Sequence, residues 1–188
     1  MEIRRFFVDN SDICNNVVTL TGDEFSHMVK VLRYKVGFKA VVCANDGIER
    51  LCTVNEIGKD FATLVIEQEN VQDVKNAHVT LFAGLLKNNK LDFVVQKSVE
   101  LGVDEIIPFA SHNCAETKFS KNRAEKIALE AAKQCGSAYL SKVGSLENFD
   151  EVLARFKEFD TVLFAYENEK KNRIKDCRFE GKKVALVV

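Results

Sequence analysis

Near Asp73 the hydrophobic pattern of this chain changes period. Before that point short β-like runs follow one another, "VVTL", "KAVVCA", "RLCTVNEI" and "FATLVIE", with turns between them. Period-two runs of this length predict a small antiparallel barrel or sandwich. "NDG" at Asn45 to Gly47 falls between two of the runs, where Asp-Gly supplies the positive-φ residues of a tight hairpin. From His78 onward strand-like and helix-like segments alternate, which predicts a mostly parallel sheet covered by helices. The polar stretch "QDVKN" between the two patterns reads as a linker, so the economical count is two domains, residues 1–73 and 74–188.

One helical segment interrupts the first half. In "TGDEFSHMVKVLRYKVG", Phe25, Met28, Val29 and Leu32 recur at helical spacing behind the acidic first turn of Asp23 and Glu24, leaving Lys30 and Arg33 on the other side. In the second half, "KLDFVVQKSVELG" carries Leu91, Val94, Val95 and Val99 as an inner stripe, with Asp92, Gln96 and Glu100 outside and Gly102 placed to end the helix. "SKNRAEKIALEAAKQCG" has an inner face of Ala124, Ile127, Ala128, Ala131, Ala132 and Cys135, small enough that the sheet or a partner subunit must approach closely. Pro108 biases Ile107 toward extended geometry and supports "VDEIIPF" as a strand.

Composition excludes several function classes. The chain has 188 residues, 46% of them hydrophobic, enough for a substantial core. Its 27 Lys and Arg balance 28 Asp and Glu, so any contact with nucleic acid must be a local patch rather than a general positive field. No stretch approaches the roughly 20 apolar residues that span a bilayer, and "MEIRRFFVDN" lacks an apolar signal core, which points to the cytoplasm. The six cysteines are scattered without a CxxC pair or clustered histidines, so they read as reduced packing residues and no metal site is expected.

Basic residues of the first half gather at two places, Arg4 and Arg5 at the start and Lys30, Arg33, Lys35 and Lys39 around the helical segment. If they converge, their side chains can hold phosphates while Phe6, Phe7, His27 or Tyr34 stack on unpaired bases; the bland reading is a solvated face over buried aromatics. Neither GxGxxG nor GxxxxGK[ST] occurs. The loop "KNNKLD" offers Lys87 and Lys90 to an anion at a helix N-terminus, or is simply solvated. His112 and Cys114 are too close in sequence for a working dyad and have no orienting third group. A metabolic α/β enzyme with a small ligand fits the alternation but lacks any phosphate or nucleophile motif.

Several stretches, taken in order, carry a resemblance: "RRFFV" near the start, "HMVKVLRYKVG", "NDG", Lys87 followed by Leu91 and Asp92, "DFVVQKSVELGVDEIIPF" and "AAKQCG". Across nearly its whole length the chain resembles the ribosomal RNA small subunit methyltransferase E family, which methylates N3 of a uridine in 16S rRNA with S-adenosylmethionine. The resemblance implies an α+β protein of two domains. The first is a PUA-like antiparallel β-barrel that binds RNA, and the second an α/β parallel-sheet SPOUT methyltransferase domain whose C-terminal part is knotted. It implies 16S rRNA of the small ribosomal subunit as partner, a homodimer, and a cofactor site close to the subunit interface. A PUA-like RNA-binding protein without catalysis is the alternative.

Carried over by resemblance, Arg4, Arg5, Lys30, Arg33 and, beside the domain junction, Lys87 contact rRNA, and Tyr166 and Glu167 border the cofactor pocket. No residue is named as the base. After "QCG" many members continue with arginine, whereas this chain has Ser137, Ala138 and Tyr139. In the family a strand like "KVALVV" leads into a glycine-rich loop and later a Leu/Arg-rich loop, which together form the knot. On that likeness the 188 residues are expected to be a fragment that stops before the knot, inactive and unable to bind S-adenosylmethionine alone.

Overall fold

The computed structural model describes residues 3–73, 75–86, 90–112, 114, 118–171 and 173–188. Contacts divide the chain into two compact units, Met1–Val74 with Gly136–Tyr139, and Lys75–Cys135 with Leu140–Val188.

The first unit is built on a six-stranded sheet of β1 (Arg4–Phe7), β2 (Ile13–Cys14), β3 (Val17–Thr21), β4 (Lys39–Cys43), β5 (Ile48–Ile57) and β6 (Phe61–Val71), in the order β1-β4-β5-β6-β3-β2. The four alternating runs are β3 to β6, and inward residues such as Val18, Leu20, Val42, Val54 and Leu64 are buried as period two requires. The expected antiparallel barrel is corrected in one respect: β1 pairs with β4 in parallel, Arg4 opposite Ala40, so the sheet is mixed, with β1 and β2 at the two ends of its hydrogen-bonded path. β1 is short and "RRFF" has no clean alternation; what holds it is Phe6, fully buried among Met28, Tyr34, Ala40 and Val42. At the β4–β5 hairpin Asn45 and Gly47 have φ of 57° and 78°.

The predicted helical segment is shorter than its periodicity suggested. α1 (Gly22–Ser26) runs directly into one turn of π-helix, His27–Val31, closed by Leu32 N–H donating to the His27 carbonyl at 3.0 Å. The wider turn keeps Met28 fully buried and Val29 and Leu32 on the core, while Lys30 and Val31 are exposed.

The second unit holds a wholly parallel sheet. It contains β7 (His78–Gly84), β8 (Glu105–Ala110), β9 (Lys142–Val143), β10 (Glu147–Asn148), β11 (Thr161–Phe164) and β12 (Lys183–Val187), with the path β10-β8-β7-β12-β11 and β9 beside β8. Helices α2 (Lys90–Glu100), α3 (Lys121–Cys135) and α4 (Phe149–Arg155) connect them. Phe82, Ile107, Phe109, Val152, Ala185 and Val187 form one core cluster, against which Phe149, Phe156 and Phe159 pack. Gly102, at φ 83°, ends α2 in a Schellman motif, with Val103 N–H reaching the Ser98 carbonyl and Gly102 N–H the Val99 carbonyl, both at 2.9 Å. Ala124, Ala128, Ala131 and Ala132 of α3 are buried within the chain itself, and α2 is the helix alongside. α4 begins on a capping box formed by Asn148 and Glu151.

Candidate RNA interface and strand-end site

Two elements meet at Tyr34. The backbone N–H of Arg4 donates to its hydroxyl at 3.2 Å, which ties β1 to the segment carrying Lys30, Arg33 and Lys35. The Tyr34 ring stands edge-on to Phe6 at 5.8 Å and to Phe38 at 5.7 Å, and Phe6 is 6.3 Å from His27. Phe6 and Tyr34 are therefore core residues, 0% and 4% exposed, and unavailable to stack on bases. They act as the clamp that joins the two basic groups. Pattern reading missed this because a buried aromatic and an exposed one look alike in a sequence.

Lys30, Arg33, Lys35 and Arg4 are exposed. Arg33 has φ 55°, a left-handed backbone at the end of the helical segment where glycine is the usual residue. Tyr34 N–H then reaches back to the Met28 carbonyl at 3.1 Å and closes the turn. The cost of a β-carbon in that conformation is tolerated at a position that presents a guanidinium to solvent.

Arg5 faces elsewhere. Its guanidinium pairs with Glu49 and donates to Cys43 Sγ at 2.9 Å, with the side chain only 11% exposed. Glu49 also accepts from Gln72 Nε2 at 3.0 Å; the same amide donates to the Gly136 carbonyl at 3.0 Å, and its oxygen accepts from Ala138 N–H at 2.9 Å. Arg5 is thus an anchor of a network that secures the tetrapeptide Gly136–Tyr139 to the first unit. A β-carbon at Gly47 would collide with the Tyr139 ring, so this glycine serves both its positive φ and that approach. Lys39 is likewise engaged, with Glu67 at 2.8 Å. Lys87 lies outside the described residues.

Buried titrating groups of this unit are structural. Burial pushes the Cys43 thiol up against the opposing pull of Arg5, and burial drives Cys52 up to about 12. A hydrogen bond from Arg50 holds the Asp46 carboxyl below its ordinary range.

In the second unit the C-terminal ends of β7, β11 and β12 lie side by side. Val188 N–H donates to the Phe82 carbonyl at 3.0 Å, Gly84 N–H to the Val188 carbonyl and Ala165 N–H to the Val187 carbonyl, each at 2.8 Å. In open α/β sheets this end of the strands is where ligands sit. Phe164, the last residue of β11, and Tyr166 just beyond it are 50% and 58% exposed, and Glu167 follows in the turn. Asn168 Nδ2 donates to the Tyr166 hydroxyl at 3.3 Å. Phe164 is backed by Phe149 at 6.2 Å, which in turn packs on Phe109 at 5.5 Å.

The remaining sequence candidates resolve as structure. Cys114 Sγ donates to the Leu85 carbonyl at 3.2 Å, and all six cysteines are free thiols. Asp92 takes Arg123 and Glu100 takes Lys97, as a polar helix face does. No group of three or more His, Cys, Asp or Glu that could hold a metal occurs among the described residues, and none of their helices is long and apolar enough to cross a membrane.

A family model described as RNA methyltransferase domain matches residues 73–188, and one described as RNA methyltransferase PUA domain matches 20–67. The chain is 33% identical over 160 residues to Ribosomal RNA small subunit methyltransferase E of Bacillus subtilis (strain 168), covering 81% of this chain and 62% of that protein. It is 29% identical over 174 residues to the protein of the same name from Mesomycoplasma hyopneumoniae (strain 232), covering 89% and 73%. The chain thus spans about three fifths of the Bacillus protein's length. Among solved structures it shares its fold with a Ribosomal RNA small subunit methyltransferase E from Neisseria gonorrhoeae bound to S-adenosyl methionine, with TM-score 0.81 and 23% identity over 99% of this chain and 79% of that one. A PUA domain followed by a methyltransferase domain over most of its residues means that the chain belongs to the ribosomal RNA small subunit methyltransferase E family.

Proposed function

We propose that this chain carries the RNA-binding domain and the parallel-sheet portion of an enzyme that methylates N3 of a uridine in 16S rRNA from S-adenosylmethionine, in the cytoplasm and as a homodimer. The observation that carries the reading is the Tyr34 clamp, which ties Arg4 to the turn bearing Lys30 and Arg33, two residues inside the PUA match over 20–67. These three side chains hold rRNA phosphates. Arg5, committed to Glu49, supports them by fixing β1.

The strand-end residues fit part of the cofactor. Exposed Phe164 and Tyr166 rings offer apolar faces to a purine, and Glu167 offers a carboxylate to a cation. When bound, S-adenosylmethionine supplies the methyl group. What the protein adds is alignment of N3 with that methyl and extraction of the uridine from its stack.

The test is methyl transfer. The protein expressed from its own gene is incubated with small ribosomal subunits and tritiated S-adenosylmethionine, and the product is located by mass spectrometry of rRNA digests. Label at N3 of one uridine in 16S rRNA is expected. RNA binding without transfer would leave the non-catalytic alternative standing.

A further inference from the structure

A groove of about 590 Å³ runs between α2 and α3, lined by Asp92, Phe93, Gln96, Asn122, Arg123, Lys126 and Ile127. Phe93 is 61% exposed, on a helix that buries Val95 and Val99 on its other side, so the ring is left in water. Lys97 Nζ stands 5.7 Å from its centroid. Arg123 places both Nε, at 3.0 Å, and Nη2, at 2.6 Å, on the single Oδ2 of Asp92. These two hydrogen bonds to one oxygen hold the guanidinium beside Asp92, neutralise the one carboxylate of the lining, and leave Nη1 for another acceptor. Lys126 is exposed on the same groove, which therefore has two cations against one acid.

Resting on the RNA reading above, we propose that this groove is a second RNA contact, taking a single-stranded segment with one base stacked on Phe93 and its phosphates on Arg123 and Lys126. A groove that offers an exposed aromatic beside two cations can bind a single strand, because any base has a face to stack and the charges follow the backbone. The volume suits a nucleotide-sized ligand rather than the side of a duplex. A second copy of the chain suits it less. In a two-fold contact the same net positive lining would face itself.

The experiment is fluorescence anisotropy of a labelled single-stranded 12-mer of uridine with residues 1–188 across a salt series. Phe93→Ala should weaken binding about 5- to 100-fold. Arg123→Gln with Lys126→Gln should lower the slope of log affinity against log salt by about 1.4, at roughly 0.7 per phosphate on a single strand. All three residues are exposed, so the variants are expected to fold, and circular dichroism confirms it before binding is read. A 4-thiouridine oligomer should also cross-link to the peptide containing Phe93. Unchanged affinity and slope in these variants, with binding lost in Arg4→Ala/Arg33→Ala, would overturn the groove while leaving the RNA reading intact. If neither set of changes affects binding, both readings fall. A Phe93→Ala protein that turns from dimer to monomer by light scattering with RNA affinity unchanged would assign the groove to self-association instead.

Discussion

The hydroxyl of Tyr34 accepts the backbone N–H of Arg4 at 3.2 Å, across 30 residues of sequence, and by that bond the first strand and the π-turn present their cations together. The ring beneath it, packed on Phe6 and Phe38, is core, so the hydroxyl can be removed without emptying space. Tyr34→Phe is predicted to cost about 0.5–1.5 kcal/mol of stability, the net value of one hydrogen bond. The same change should weaken rRNA binding while leaving its salt slope unchanged, since no cation is lost. Urea denaturation and anisotropy titrations read the two effects separately.

Arg33 is predicted to trade stability for binding. Arg33→Gly relieves the left-handed backbone at φ 55° while adding freedom to the unfolded chain, so stability should hold or rise, by no more than about 1 kcal/mol. RNA affinity should fall, and Arg33→Lys should restore part of it. Thermal melts and binding isotherms measured side by side check the opposite signs.

Arg5 and Arg4 are neighbours with different roles. Arg5→Ala leaves Glu49 partly buried without its cation and loosens the Gln72 network, and is predicted to cost about 2–4 kcal/mol. Arg4→Ala keeps the backbone bond to Tyr34 and, its side chain being exposed, should cost less stability than Arg5→Ala. Denaturant midpoints of the two variants give the comparison.

Asp46 links stability to acid. Its folded pKa is held down by Arg50, so its contribution is complete above the unfolded value near 4 and is lost as pH falls through the lower folded value. Asp46→Asn should therefore be less stable than the parent at pH 7, with the gap closing as pH falls below about 4. Unfolding curves at pH 7, 4 and 3 test the sign. The buried thiols give a parallel check: a native protein should label rapidly at exposed Cys14 and Cys135, and at Cys43 and Cys52 only when unfolded.

Much of this architecture was legible because burial imposes a period. "KAVVCA" and "FATLVIE" had to be strands with one apolar face, and "HVTLFAGLL", "EIIPF" and "KVALVV" had to be strands buried on both. What stayed hidden depends on partners distant in sequence. Arg5 meets Glu49 44 residues away, and Gln72 meets Ala138 66 residues away, so neither pairing has a local signature. Phe6 and Tyr34 matched a stacking surface as well as a core until the fold buried them. The groove between α2 and α3 was invisible because Asp92 and Arg123, 31 residues apart, read separately as a solvated face and a basic helix start.

The salt dependence of binding to small-subunit rRNA tests the RNA-binding patch most directly, comparing residues 1–188 with the Arg4→Ala/Arg33→Ala double variant. If Arg4 and Arg33 each hold a phosphate, the variant binds more weakly and the slope of log affinity against log salt falls by about 1.4–1.8. An unchanged slope and affinity would show that the cations gathered around Tyr34 touch no phosphate, and the RNA-binding reading of this surface would be wrong.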